Sequence, residues 1–476
     1  METGASAAGQ LAGAGAGGAS GGVGVGVLPV AVVFAVTVAG VLLRPRRVHE
    51  AWVAVAGAAA MGVWGAVRWS DLAAVLQETA PVLVFLAGVL VAGAVADRAG
   101  VFSLAALWTA RATGSSARRL FVGVYVLGSV VTALFSLDAT AVVLTPIVFH
   151  LVRHAGLAPL PFVFACTYAA NTPSLVLPVS NLTNLLVQAR FGLGFWEFAR
   201  AMALPNLLAG GVGLGVLYGL FRGQLRGQLP VEQLELEVRA LSRSPFLRWS
   251  ACLLALMLAG FGLAGAAGWP LWPVALGGGA AMAALALGRQ EVRPRFFVRA
   301  VAWGLLPFVV GLFLVIRGVE NAGLSRALLS AAVERPAQAA AHLVAGEAQP
   351  HPGPHETEVG GQPAAAAPWP RRVALAVAAA LGSNLVNNIP MTLLGMGAVD
   401  QDRWAAYSLL LGVNLGPNLS IIGSLATMLA LGLVRQRGVD VGGWSYLRVG
   451  LVAMPATLAA GLAGLWLAQR WWGGAP

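Results

Sequence analysis

The sequence predicts an all-α polytopic membrane protein. Three observations carry this reading. The chain has 476 residues, of which 58% are hydrophobic and only 10% charged, with a mean hydropathy of +0.78. Apolar stretches of about 18–25 residues recur, each long enough to cross a bilayer as a helix. Ten-residue segments of alternating hydrophobicity, the mark of a membrane β-barrel, are absent. The 61 glycines suit close helix packing in lipid.

The net charge of +11 comes from 30 basic residues, and every one is arginine. In a soluble chain that balance would suggest nucleic acid as a partner. Here the arginines lie in short loops between apolar segments, so they read as orientation signals beside a lipid bilayer. Cys166 and Cys252 lack metal-ligand or redox spacing and read as small packing residues. No nucleotide-binding loop, acid-rich metal motif or Ser/His pair is present. No cofactor, metal or nucleic acid is therefore expected, and an integral membrane enzyme is disfavoured.

Residues 1–22 are Gly/Ala-rich without a basic n-region, so a disordered tail is expected rather than a signal peptide. Apolar segments follow at 23–43, 48–67, 81–97, 119–155, 160–187, 202–221, 248–266, 271–288, 300–316, 371–399, 403–432 and 447–467. Two of them are broken by polar residues. Leu120–Val152 breaks at "SLDAT" and Val373–Val399 at "GSNLVNNIP". Broken polar backbone at membrane depth must face protein or a water-filled cavity. Both are read as re-entrant helical hairpins, leaving about ten true crossings.

The two halves repeat. "DRAGV" (97–101) returns as "ENAGL" (320–324), and "PSLVLPVSNLT" (173–183) as "PNLSIIGSLAT" (417–427). Pro173, Ser180 and Thr183 thereby fall on Pro417, Ser424 and Thr427. The expected organisation is an N-terminal transmembrane repeat (23–221), a cytoplasmic connector (222–247) and a C-terminal repeat (248–476). The second repeat carries a flexible Pro/Ala/Gly-rich insertion (335–370), whose His351 and His355 read as solvated linker residues. With hairpins, each half has five crossings, so the halves are inverted. An external N-terminus puts 20 of the 30 arginines inside, in agreement with the positive-inside rule. Stretches 98–118 and 318–335 are expected as interfacial amphipathic helices. Inverted repeats with polar breaks at the midplane form a transporter architecture.

Asp138 alone among the acids lies deep in an apolar segment. A charge there costs about 2.5–3.5 kcal/mol on insertion scales, so it is a functional residue by default. Burial disfavours the charged carboxylate, so Asp138 can load and release a proton. Asp97 and Glu320 lie at crossing ends and read as caps or anchors. Asn171, Thr172, Ser180, Asn181, Thr183 and Asn184 form one polar cluster, in which Pro173 and Pro178 break the helix. Asn414, Asn418, Ser424 and Thr427 form its counterpart, and Ser383, Asn384, Asn387 and Asn388 a third. These amides and hydroxyls are expected to line a cavity. With no arginine or lysine among them, the site suits a neutral hydroxylated molecule or a cation.

At these residues the chain resembles the arsenical pump membrane protein family, arsenite efflux permeases of the ion-transporter superfamily. The matching stretches are "DATAVVLTPIV" (138–148), "VSNLTNLL" (179–186) running into "FGLGFWEFA" (191–199), "NNIPMTLLG" (387–395) and "LGPNLSIIGSLATML" (415–429). The pattern departs at Leu137, where the family has Asn, and at Asn414–Leu415, where it has Cys-Asp. The resemblance implies inverted repeats, hairpins, an inner-membrane location, and export of arsenite and antimonite in exchange for protons. It puts Asp138, Asn181, Asn184, Asn387, Asn388, Pro417, Ser424 and Thr427 on family motif positions. A separate ATPase subunit and a homodimer are compatible with it. Sodium-coupled carboxylate transport and Na+/H+ antiport are the alternatives within the superfamily.

Overall fold

The computed structural model describes residues 26–43, 49–229, 231–324, 368–397, 399 and 402–472. The expected tail 1–22, most of the insertion 335–370 with His351 and His355, and the expected interfacial helix beyond residue 324 lie outside the described residues. Everything regular among the described residues is helical, apart from one isolated bridge between Ser116 and Gln228. Among the described residues, five helices are individually long and apolar enough to cross a membrane.

The chain opens with α1 (Val27–Leu43), α2 (Glu50–Val63) and α3 (Trp69–Ala99). Gly100, at φ 84°, ends α3 and starts α4 (Val101–Ala112). A side chain is unfavourable in that left-handed conformation. Helix α4 is the expected amphipathic helix. Phe102, Ala106 and Ala110 face inward, while Trp108 and Arg111 stay exposed. The first broken segment follows as α5 (Ala117–Leu134), a π-helical turn (Ala139–Leu144) and α6 (Thr145–His154). Next come α7 (Pro159–Asn171), α8 (Leu182–Phe191) and α9 (Phe195–Phe221). The connector holds α10 (Val231–Ser242).

The second half begins with α11 (Pro245–Ala266), α12 (Trp272–Gly288), the short α13 (Arg295–Ala300) and α14 (Leu305–Asn321). The second broken segment is α15 (Trp369–Val386) and α16 (Asn388–Met396), and α17 (Arg403–Leu415), α18 (Leu425–Arg435) and α19 (Gly443–Trp472) complete the chain. Residues 318–321, expected to begin an interfacial helix, instead continue α14.

In both broken segments the two ends lie close together. Just before α5, Ser115 O accepts a hydrogen bond from Leu229 N at 3.0 Å. Just after α6, Leu157 lies against Gly227. The two ends of the first hairpin therefore meet the same stretch of connector. In the second hairpin, Arg372 near the start of α15 pairs with Asp402, beyond α16, at 3.0 Å. Helix α19 shows that the hairpins open on opposite faces. Arg437, shortly before it, bonds Arg153 at the end of α6, whereas Gln469 near its end bonds Arg372. A 30-residue helix is about 45 Å long at 1.5 Å per residue.

Small residues set the helix contacts, as expected where lipid removes the hydrophobic drive between helices. At the α3–α12 crossing a Cβ on Gly88 would strike the backbone of Ala275, and one on Gly279 would strike that of Gly88. At the α9–α19 crossing, a Cβ on Gly464 would lie 2.7 Å from the Cα of Pro205. Side chains there would push the backbones apart.

Candidate functional site

Two helices break at the centre of the molecule, in the same way. Helix α7 ends at Asn171, passes through short 3-10 turns at Thr172–Leu175 and Pro178–Ser180, and becomes extended at Asn181 before α8. Helix α17 ends at Leu415, passes through 3-10 turns at Gly416–Asn418 and Ile421–Gly423, and becomes extended at Ser424 before α18. Pro173, Pro178 and Pro417 lack the amide hydrogen that a continuous helix needs. The freed carbonyls find side chains. Asn184 Nδ2 donates to Ser174 O at 2.6 Å and Leu177 O at 2.9 Å. Asn384 Nδ2 donates to Gly416 O at 2.8 Å.

The two breaks bond to each other. Asn414 Oδ1 accepts from Asn181 Nδ2 at 2.9 Å and from Thr183 Oγ1 at 2.8 Å. Asn414 Nδ2 donates to Asn184 Oδ1 at 2.9 Å. Asn171 Nδ2 lies 3.1 Å from both Asn418 Oδ1 and Thr427 Oγ1. Asn418 Nδ2 donates to Thr172 Oγ1 at 2.8 Å. Ser180 Oγ reaches outward to Ala133 O at 2.8 Å, tying the break to the end of α5. All of these residues are buried. The sequence reading expected these groups to line a cavity; in this structure most of them satisfy one another in a closed network.

The second hairpin joins this network at its tip. Ser420 Oγ donates to Asn384 Oδ1 at 2.6 Å, and Ser383 Oγ to Ala380 O at 2.8 Å. Asn387 has φ 75°, a strained backbone for a residue with a side chain. Its Nδ2 donates to Ile422 O at 3.3 Å, but its Oδ1 is buried without a partner among the described residues. Ser424 Oγ is likewise buried and without a partner among them. No side-chain hydrogen bond of Asn388 is found among the described residues, although the residue is 5% exposed. Orphaned buried oxygens are uncommon and need an explanation such as a ligand or water. Among the described residues no arginine belongs to this centre; the buried Arg372 lies at the far end of α15.

Asp138 occupies a different place. The tip of the first hairpin is anchored by Thr132, whose hydroxyl lies 2.8 Å from both Thr140 Oγ1 and Ala169 O. Leu137 and Ala141 face the centre, packing with Ala170, Ala426 and Ala430. Asp138 instead lines a cavity of about 450 Å³ between α3, the hairpin tip and α18. Among the described residues its carboxylate has neither a hydrogen bond nor an ion pair. This apolar layer separates its carboxylate from the amides. Asp97, read as a cap, lines the same cavity. Its repeat counterpart Glu320 lines a cavity of about 570 Å³ with Glu78, Arg190 and Arg317.

The model of the citrate transporter family matches residues 30–413. The chain belongs to this family of membrane transporters. The arsenical pump membrane protein model matches residues 364–469. The arsenical pump membrane protein of Escherichia coli is 28% identical over 443 residues, covering 91% of this chain and 97% of that protein. That of Yersinia enterocolitica is 28% identical over 446 residues, with the same coverage. An uncharacterized transporter of Mycobacterium bovis is 26% identical over 457 residues, covering 91% of this chain and 98% of that protein. The resemblance read from the motifs thus extends over nearly the whole chain. The transporter is a multi-pass membrane protein, placed in a bacterium in the inner membrane. Among solved structures, the YdaH transporter of Alcanivorax borkumensis matches at TM-score 0.49 and 16% identity, covering 85% of this chain and 88% of that one.

Proposed function

We propose that this transporter exports arsenite and antimonite in exchange for protons. The observation that carries the reading is the chemistry of the closed centre. It offers amide and hydroxyl groups, including the unpaired oxygens of Asn387 and Ser424, and, among the described residues, no cationic side chain. Arsenite at neutral pH is the uncharged As(OH)3, which donates and accepts hydrogen bonds and needs no positive partner. The arsenical pump relatives, aligned over nine-tenths of the chain, support the same substrate class. Asp138, an intramembrane carboxylate without an ion pair, is the proposed proton carrier. The resting network would have to open for substrate, with arsenite hydroxyls replacing bonds such as that between Asn181 and Asn414.

A second reading, proton- or sodium-coupled carboxylate transport, draws on the citrate transporter model. A citrate trianion at the centre would meet amide dipoles and no arginine, so burying it there carries a large desolvation cost. Everted membrane vesicles under an imposed pH gradient separate the two. Accumulation of arsenite and antimonite, with none of citrate, is expected. Citrate accumulation without arsenite accumulation would replace this reading by the second.

A further inference from the structure

The cavity at Asp138 does not end at Asp97. A second cavity of about 490 Å³ shares Asp97, Val142 and Val143 with the first. It runs between α4, α6 and the connector, and carries His150, His154, Glu237 and Arg437. His150 and His154 are one helical turn apart on α6, with ring centroids 4.7 Å from each other. Both histidines and Glu237 are exposed. The two cavities adjoin at Asp97, Val142 and Val143, one reaching the connector and the other Asp138 at the hairpin tip.

We propose that this pair of cavities is the proton route on the connector face, and that Asp97 is its intermediate carrier between Asp138 and solvent. The proposal rests on the reading of Asp138 as the coupling carboxylate. Cavities of this size with polar groups at both ends are roomy enough for several waters, each needing roughly 10–15 Å³. Water bridges groups that do not touch. The charged and titratable groups facing Asp97 are few. From α3 there is Arg98; from the start of α2, His49 and Glu50, 3.9 Å apart. The hairpin tip contributes Asp138. The connector side contributes His150, His154, Glu237 and Arg437. Among the described residues Asp97 is in no ion pair, so no fixed partner holds its charge state. Glu320, its counterpart in the repeat, differs in this respect, with Arg317 at 3.8 Å.

The transfer balances without another reactant. Protonated Asp138 gives its proton through water to the Asp97 carboxylate. Asp97 then gives that proton to water among His150, His154 and Glu237, and both carboxylates return to their ionised state. Val142 and Val143, on the π-helical turn, form the wall common to the two cavities. Movement of the hairpin tip would therefore widen or close the passage. Such π turns are frequent at functional sites.

The test uses the full chain in everted vesicles. Asp97→Asn should lower pH-gradient-driven arsenite accumulation by on the order of 10²-fold, and Asp97→Glu should restore most of it. Arsenite exchange at equal pH should survive in Asp97→Asn, which separates a lost proton carrier from a lost fold. Wild-type accumulation by Asp97→Asn, with none by Asp138→Asn, would remove Asp97 from the route and leave the coupling reading standing. Wild-type accumulation by both would end the coupling reading itself. A labelling readout stands apart from transport and holds even if Asp97→Asn does not fold. Val142→Cys should react with a small impermeant thiol reagent from the connector face; reaction only from the opposite face, or none, overturns the route.

Discussion

Asn181 Nδ2 donates to Asn414 Oδ1 at 2.9 Å, joining two broken helices that are 233 residues apart in sequence. Asn414 is the hub of the centre, since Thr183 and Asn184 also bond its amide. In the proposed reading, a neutral hydroxylated substrate meets the unpaired oxygens of Asn387 and Ser424 and exchanges some internal bonds. Stability and affinity then share groups such as Asn181 and Asn414.

That relationship separates two asparagines that look alike in the sequence. Asn414→Ala strands Asn181, Thr183 and Asn184 together, at about 1–3 kcal/mol for each buried group left unpaired. It should lower the melting temperature of the detergent-solubilised protein and its yield in membranes. Among the described residues Asn388 has no such side-chain bonds, so Asn388→Ala should melt like the wild type yet lose arsenite transport. Normal transport by Asn388→Ala would exclude that amide from the substrate site.

A second prediction concerns the root of the second hairpin. Arg372 is 3% exposed and forks onto both oxygens of Asp402, with Gln469 bonded to its other arm at 2.7 Å. Asp402 also caps α17 through Trp404 N and Ala405 N. Arg372→Met removes one partner of a buried pair, a change that costs about 3–5 kcal/mol. Asp402→Asn keeps the capping oxygen and should destabilise less. Thermal unfolding of both variants gives the order; equal losses would show that the pair's charge, not its hydrogen bonds or packing, carries the effect.

The breaks were legible because their causes are local. Prolines 173, 178 and 417 and their polar neighbours interrupt an apolar run, and no packing information is needed to see it. The partnership of Asn181 with Asn414 was not legible, because it depends on how α8 and α17 meet. Which cavity Asp138 faces was not legible for a different reason. The π-helical turn Ala139–Leu144 adds a residue to the helical turn, shifting facing by roughly 100° relative to a 3.6-residue period. Helical periodicity read from sequence cannot register that shift. Asp97 was hidden because a charge at a helix end is inexpensive and usually structural; only its pairing with Glu320 in the repeat marked it.

Glycine contacts give a third prediction. Gly88 and Gly279 let α3 and α12 approach backbone to backbone, whereas a Cβ on Gly93, one turn further along α3, would meet nothing within 4 Å. Gly88→Val should destabilise by at least about 1–3 kcal/mol, the usual cost of overpacking. Gly93→Ala should leave folding unchanged. Membrane yield and melting temperature of the two variants check this; since Ala favours a helix over Gly, equal loss in both would mean that close packing along α3 is not confined to the Gly88 crossing.

The last prediction is topological. The first hairpin closes on the connector, through Leu229 with Ser115 and Gly227 with Leu157. The second closes at the other end of α19, through Arg372 with Asp402 and Gln469. If both broken segments are re-entrant, residues flanking the first hairpin label from one side of the membrane and those flanking the second from the other. Cys166 is buried and Cys252 exposed, so both are first replaced to give a silent background. Single cysteines at Arg226 and Arg371 then report the two faces. The arginine excess predicts that Arg226→Cys reacts with impermeant reagent from the cytoplasm and Arg371→Cys from outside. Reaction of both from one side would break the inverted arrangement. Reaction on swapped sides would keep it and reverse the orientation, and the proton route through Asp97 would then open outward.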